Sequence, residues 1–363
     1  MFDLGIIGDG QLAKMLAEAK LAEGLSIAFL GKDSDGPCSG LGRHIVGDIY
    51  NTNDILTFVN QCELCTFENE FIDFEALLVL KDSKFSPSAK SIFTIGDKLS
   101  EKQLARDLGI PIGAFRVLSE VDEFEIPCVI KAIKGGYDGY GTFLIRDMYD
   151  KKRFLEKRDL SLTYILEDFV SLKRELAVTF ARSKKEEDFF FYPIVESVQE
   201  DGICVRVDFP AQVSENQKKL IENSCMKLAN EIDYHGIMSV EFFETEEGEI
   251  LYNECSPRPH NSAHYTMDVF DYSQFDLHLV AILGRELPVA KTEVESAVMI
   301  NLLGNKKDGE KDFIPELFAG EKIHLYNKKQ SRIGRKMGHL NILGDDKTKI
   351  IQRLKTLEKE VKL

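Results

Sequence analysis

The sequence has no apolar run long enough to cross a bilayer and no basic-then-apolar opening of the secretory type, so a cytoplasmic location is the expectation. Positive charge is outnumbered. There are 46 Lys and Arg against 61 Asp and Glu, a formal net charge of −15, which argues against nucleic acid or an anionic membrane as partner, since both demand a basic footprint. An anionic small molecule would have to be held by a local cluster of cations. The seven cysteines, at 38, 62, 65, 128, 204, 225 and 255, are odd in number and scattered, unlike a disulfide framework. Cys62 and Cys65 form a lone C-x-x-C without the second pair a tetrahedral zinc site needs, which favours structural thiols over metal or redox chemistry. Internal repeats and low-complexity stretches are also missing. At 363 residues, 44% hydrophobic and 29% charged, the chain is too long for one ordinary core, and two or three domains are expected.

The first part of the chain alternates β-rich runs, at residues 2–8, 26–30 and 63–68, with helical stretches, the pattern of a parallel α/β layer. Gly8-Asp9-Gly10-Gln11-Leu12-Ala13 opens a helix directly after the first run and matches the dinucleotide fingerprint if alanine is allowed in third place; Asp33 stands near its acidic position. Such a helix N-terminus offers backbone N–H groups to an anion. A second region begins near Asp97 with a helix over residues 98–108. A strand at 128–132 follows, then Lys134-Gly135-Gly136-Tyr137-Asp138-Gly139-Tyr140-Gly141-Thr142, then a strand at 143–145. Four glycines there let the backbone approach a phosphate, or simply make a flexible hairpin; the loop lacks the G-x-x-x-x-G-K-[ST] order. Strands at 164–170, 174–181 and 189–197 and a helix at 215–232 come next. From about Ser296, strands at 298–303, 323–326 and 338–343 flank a basic loop, Lys328, Lys329, Arg332, Arg335 and Lys336, and a helix ends the chain.

One hairpin carries chemistry. In GIMSVEFFETEEGEILYNECS, a tight turn at Glu247-Gly248 would set Glu241 directly opposite Glu254, with both carboxylates on one face. Facing like charges destabilise a sheet, unless a hard divalent cation lies between them as at Mg²⁺-nucleotide sites, or unless the hairpin is exposed and both acids are solvated. A one-residue slip of register would abolish the pairing.

Together these pieces resemble the ATP-grasp superfamily, and within it the N5-carboxyaminoimidazole ribonucleotide synthetases, over essentially the whole chain. The resemblance is carried by GDGQLAKML (8–16), TFENEF (66–71), GDKLSEKQL (96–104), VIKAIKGGYDGYGT (129–142), LEDFV (166–170), RELAVTFAR (174–182), YPIVES (192–197), SVEFF (239–243), NECSPRPHNSAHYT (253–266), YSQFDLHLVAI (272–282) and RKMGH (335–339). It implies a multidomain α/β and α+β fold. A Rossmann-like pre-ATP-grasp domain would occupy 1–96, an ATP-grasp domain 97–295 with a lid at about 118–170, and a small β-rich C-terminal domain 296–363. The implied reaction joins ATP, bicarbonate and 5-aminoimidazole ribonucleotide, through carboxyphosphate, into N5-carboxyaminoimidazole ribonucleotide, ADP and phosphate. The implied cofactors are ATP and Mg²⁺, with Mn²⁺ as an alternative, and the implied assembly is a homodimer.

By the same resemblance Glu241 and Glu254 are the metal ligands, and Lys98 and Lys131 contact the ATP phosphates together with Asn253 and the lid residues Gly135, Gly136, Tyr137, Asp138 and Gly139. Glu167, Asp168, Phe169 and Val170 form the linker that reads adenine, and Glu175 binds the ribose. Arg258, His260 and Asn261, with Lys131, would act on the γ-phosphate and bicarbonate. Gln11, Leu12, Glu70, Tyr137 and Asp138 line the ribonucleotide pocket, whose phosphate meets Lys328 and Arg335. Departures from the family pattern fall at Tyr140, Gln199, Ile333 and Tyr326-Asn327-Lys328. Three rival readings are a formate-dependent glycinamide ribonucleotide transformylase, an NAD-dependent dehydrogenase built on the early glycines, and a silent ATP-binding protein. His260 and His264 also spell H-x-x-x-H, but without the glutamate of hydrolytic zinc helices.

Overall fold

The computed structural model describes residues 1–32, 34–70, 72, 84–119, 124–134, 141–185, 188–200, 202–304, 316–345 and 347–360. The N-terminal layer runs β1 (Phe2–Ile7), α1 (Gln11–Glu18), β2 (Ile27–Gly31), β3 (Arg43–Val46), α2 (Thr52–Val59), β4 (Cys62–Phe67) and α3 (Ala89–Thr94). Its strands are parallel in the order β3-β2-β1-β4, as the alternation of runs and helices predicts. Cys62 and Cys65 are fully buried against Gly5, where a Cβ would come within 2.6 and 2.9 Å of their sulfurs, so they pack the layer.

The middle region opens with α4 (Lys98–Asp107), whose N-terminus is capped by the Asp97 carboxylate accepting from Ser100 N and whose end is turned by Gly109 at φ +65°. β5 (Phe115–Leu118), β6 (Cys128–Ala132), β7 (Thr142–Ile145), α5 (Met148–Lys157) and β8 (Tyr164–Asp168) follow. Their strands form an antiparallel sheet in the order β5-β8-β6-β7, with its own core around Ile130, Phe154 and Tyr164.

The rest builds one large antiparallel sheet from β9 (Leu172–Arg182), β10 (Phe189–Phe191), β11 (Val195–Glu200), β12 (Ile203–Phe209), β13 (Gly236–Thr245), β14 (Ile250–Ser256), β15 (Ser296–Leu303), β16 (Glu321–Leu325) and β17 (Lys336–Gly344). The helices are α6 (Glu215–Glu231), α7 (Thr266–Val269), α8 (Gln274–Ile282) and α9 (Lys347–Glu360). The strand order is β14-β13-β9-β11-β12-β15-β17-β16, with β10 beside β9. The run expected at 189–197 is therefore two strands, interrupted around Pro193, since proline cannot donate to a ladder. Strand β9 alternates cleanly. Leu176, Val178 and Phe180 pack under α6 with Ile221, Cys225 and Leu228, while Ala177 and Ala181 face the opposite core with Ile237 and Leu277. Helix α8 is buried along its whole length, as a helix apolar all round must be, and it wedges between this sheet and the N-terminal layer. At the join, the backbone N–H of Ile237 donates to His278 Nδ1 (3.2 Å), which leaves the proton on Nε2 to bond Thr66 Oγ1 at 2.9 Å.

Candidate active site

The hairpin β13–β14 pairs Glu241 directly with Glu254, but by a different route from the tight turn expected. Thr245 N bonds Glu249 O (2.9 Å) across a three-residue loop, 246–248, in which Gly248 has φ +85°. Phe242 pairs with Tyr252 and Glu241 with Glu254, so Asn253 is the extra residue of a β-bulge. The bulge takes up the residue that the longer loop displaces, and the two carboxylates still meet.

Strand β14 is the sheet's edge, and α4 covers it. Residues 98, 101 and 102 share a helical face. Lys98 pairs with the Glu254 carboxylate, Lys102 donates to the Asn253 carbonyl (2.9 Å), and Glu101 accepts from Cys255 N (2.7 Å) and from the Tyr252 hydroxyl (2.5 Å). These side chains satisfy backbone groups that an edge strand leaves unpaired. The Lys98 ammonium holds Glu254 well below the usual carboxylate range, whereas burial, then the negative charge of Glu254, push Glu241 up to about 8. Burial also raises Glu101 to about 7.

Beneath the lid sheet, Lys131 on β6 donates to Asn253 Oδ1 (3.0 Å) and pairs with Glu167 at 3.1 Å; Lys102 meets the same carboxylate at 3.0 Å. Burial opposes ionisation of Glu167, but Lys131 and Lys102 outweigh it and keep the carboxyl below its ordinary value. A cavity of about 550 Å³ opens between the two sheets. Lys131, Glu167, Asp168, Phe169, Val170, Glu175, Glu241, Asn253 and Glu254 all line it, so most of the expected nucleotide residues converge. Glu175, pushed up to about 7 by burial, lies beside Gln199 there. Lys98 belongs to the neighbouring cavity instead. Gly135, Gly136, Tyr137, Asp138 and Gly139, together with Tyr140, lie outside the described residues.

That second cavity, of about 420 Å³, lies between the N-terminal layer and the large sheet. Gln11, Leu12, Glu70 and Arg258 line it, with Arg258 clamping Glu70 through Nε (2.5 Å) and Nη2 (3.0 Å). The anion expected at the α1 N-terminus is supplied by the protein itself. The Glu68 carboxylate accepts from Gly10 N (2.7 Å) and Leu12 N (3.3 Å), and a Cβ at residue 10 would fall 2.1 Å from it. The early glycines therefore make room for Glu68, leaving no place for a dinucleotide pyrophosphate, and the dehydrogenase reading fails. Asp33 lies outside the described residues. Lys328, half-buried and donating to the Lys336 carbonyl at 2.7 Å, and Arg335, exposed and donating to the Gln330 carbonyl at 2.8 Å, line neither cavity.

The two cavities share a wall formed by Glu254, His260, Asn261 and Lys336. His260 Nδ1 lies 2.9 Å from Ser262 Oγ and 3.9 Å from Glu241. His264 is fully buried with Nδ1 facing the Gln274 amide (2.9 Å), whereas His260, the other member of the H-x-x-x-H pair, lines both cavities.

Three family models tile the chain: a ribonucleotide synthetase preATP-grasp domain over residues 1–95, an ATP-grasp domain over 103–275, and a phosphoribosylaminoimidazole carboxylase C-terminal domain over 297–353. The N5-carboxyaminoimidazole ribonucleotide synthase of Bacillus subtilis (strain 168) is 34% identical over 97% of this chain and 94% of its own length. The chain belongs to the N5-carboxyaminoimidazole ribonucleotide synthase family. The enzyme of Mycobacterium tuberculosis (strain ATCC 25618 / H37Rv) is 32% identical over 96% of this chain and 85% of that protein. Among solved structures, the Staphylococcus aureus synthetase complexed with ADP superposes with a TM-score of 0.88 at 27% identity, covering 98% of this chain and 96% of that one. The Aspergillus clavatus synthase in complex with ADP and 5-aminoimidazole ribonucleotide gives 0.86 at 27% identity, covering 99% and 98%.

Within the family frame, Glu101, Lys102, Glu68 and Lys336 of the two cavities, and Asn301 bonded behind Asn261, had no role assigned from sequence. Glu101 and Lys102 follow Lys98 at helical spacing inside GDKLSEKQL, and that spacing was the available signal. Glu68 stands in TFENEF and Lys336 in RKMGH, next to residues that were singled out. Asn301 is the one polar residue in the run AVMINLL of β15, and burial of a lone amide in an apolar strand demands a partner.

Proposed function

We propose that the chain carboxylates 5-aminoimidazole ribonucleotide with bicarbonate at the expense of ATP, through carboxyphosphate, giving N5-carboxyaminoimidazole ribonucleotide, ADP and phosphate. The observation that carries this reading is the shared wall: a nucleotide-sized cavity and a second cavity, with Lys98, Arg258 and Lys336 in its lining, open onto the same four residues. A mixed anhydride made from one ligand can then reach the other without entering bulk water. A bicarbonate oxygen attacks the γ-phosphorus and the bond to ADP breaks. The exocyclic amine then attacks the carboxyl carbon, loses a proton, and phosphate departs.

Lys131 offers a point charge to the polyphosphate from the lid side, while Lys98, in the neighbouring cavity, acts on it through Glu254 of the shared wall. Arg258, fixed by Glu70, presents its fork toward the second cavity, and Lys336 and His260 flank the carboxyl group at the shared wall. The fit for a hard divalent cation rests on Glu241 directly opposite Glu254, since facing carboxylates repel unless a cation lies between. These two would hold Mg²⁺, which when bound offsets charge on the transferred phosphoryl group. Among the described residues no helix is long and apolar enough to cross a membrane. A cytoplasmic location and a homodimer complete the reading, the latter checked by sedimentation.

The test is phosphate release from MgATP. It should appear when 5-aminoimidazole ribonucleotide and bicarbonate are both present, with carboxylated product formed in equal amount. Release that requires formate and glycinamide ribonucleotide would support the transformylase instead, and tight MgATP binding without turnover would support a silent binder.

A further inference from the structure

Strand β15 has two faces. Val298, Ile300 and Leu302 pack against Ile350 and Leu354 of α9, while Ala297 and Met299 face the core shared with Ile237 and Leu277. Asn301 is the next residue along that second row, only 5% exposed, where period two calls for another apolar side chain. A buried amide is costly unless bonded, and this one is bonded on both ends. Its Nδ2 donates to the Cys204 carbonyl (2.8 Å) and to Asn261 Oδ1 (2.6 Å), and its Oδ1 accepts from Asn261 Nδ2 (2.8 Å).

The assignment of these atoms follows from chemistry. The Cys204 carbonyl can only accept, so the Asn301 atom facing it is nitrogen, and the reciprocal pair with Asn261 then has a single consistent orientation. An asparagine amide has two N–H donors and two lone pairs on oxygen. The pair uses one of each on Asn261, so one N–H and one lone pair remain. Asn261 lines both cavities at the shared wall. A flipped amide would exchange donor for acceptor there, and an acceptor repels an anion.

We propose that Asn301 is a positioning residue that locks the Asn261 amide, reserving its second N–H for the acyl-phosphate anion that forms and breaks down at the shared wall. This rests on the carboxylation reading above. Cys204 ends up anchoring the wall through its backbone, and a residue of the C-terminal strands sets the polarity of a loop that follows the metal hairpin. An acyl phosphate held by fewer donors is lost to water more often, so the signature of a misaligned Asn261 is uncoupling: phosphate is released without product.

The experiment measures phosphate release and carboxylated product in the same reaction for the full chain, Asn301→Asp, Asn301→Ser, Asn261→Ala and the Asn261→Ala/Asn301→Asp double variant, with thermal denaturation alongside. Asn301→Asp keeps the volume but replaces the donor that faces Asn261 Oδ1; Asn301→Ser removes the amide pair with little steric burden should the aspartate fail to fold. The unaltered chain should release one phosphate per product. Both Asn301 variants should raise that ratio by about tenfold, with the KM for bicarbonate raised and the KM for ATP unchanged. The double variant should be no worse than Asn261→Ala alone. A ratio that stays at one in folded Asn301 variants, whether or not the melting temperature falls, overturns the positioning role, as do additive effects in the double variant. An unaltered chain without turnover on bicarbonate and aminoimidazole ribonucleotide would sink the carboxylation reading, and the positioning role with it.

Discussion

At the scale of single residues, the site gives two facing carboxylates opposite titration behaviour. Glu254 is held ionised first by Lys98 and then by Lys131, while Glu241, buried and facing that negative charge, is raised to about 8. Replacing Glu254 by Gln leaves Lys98 without its counter-ion and the cation with one carboxylate, so turnover should fall more than tenfold, a barrier increase above about 1.4 kcal/mol; steady-state phosphate release at saturating Mg²⁺ measures it. Gly10→Ala should push Glu68 off the α1 N-terminus, because the new methyl would fall 2.1 Å from its carboxylate oxygen. The expected outcome is a raised KM for the ribonucleotide with the KM for ATP unchanged, since Gln11 and Leu12 line only the second cavity. The glycines were legible in the sequence. The reason for them was not, because Glu68 lies 58 residues downstream of Gly10 and only the parallel pairing of β1 with β4 brings the two together.

At the scale of elements, α4 lying over β14 decides the geometry of the hairpin. Glu101 accepts two hydrogen bonds inside the fold, so Glu101→Ala strands both the Cys255 N–H and the Tyr252 hydroxyl. A loss of about 2–4 kcal/mol is expected, read from the urea denaturation midpoint. The hairpin itself was legible because two β-rich runs, 236–245 and 250–256, flank the turn signal Glu247-Gly248, so the pairing of 241 with 254 could be read from sequence. The Asn253 bulge was not, since a bulge and a longer loop cancel in the residue count. Strands β3, β5 and β12 were missed for a related reason: they are short or carry partly exposed residues, and lack the continuous apolar run that marked β1 and β2.

At the scale of the whole molecule, a buried polar contact joins the N-terminal layer to the large sheet. His278 ties Thr66 of the N-terminal layer to Ile237 of the large sheet, and burial lowers its pKa from an ordinary 6.5 to about 3. The unfolded chain takes up this proton below pH 6.5 while the folded one refuses it until about 3, so this contribution is intact above 6.5 and is lost as pH falls through that window. Between pH 6.5 and 5 the loss is about 2 kcal/mol; His278→Gln should lessen the acid sensitivity by that amount in denaturation midpoints compared at pH 7 and pH 5. His264 and His339, lowered well below the ordinary range by burial, push the same way. The motifs placed all three regions in order along the chain, but they gave no sign that β12 pairs with β15, Arg206 against Ile300 and Phe209 against Ala297, so that the C-terminal strands continue the sheet carrying the Glu241–Glu254 hairpin. The last seventy or so residues are thus no detachable appendage. A chain truncated before Ser296 would lose Asn301 and Lys336 and lay bare the β12 edge as a template for other molecules, and it should elute as aggregates on size exclusion where the full chain gives a discrete species.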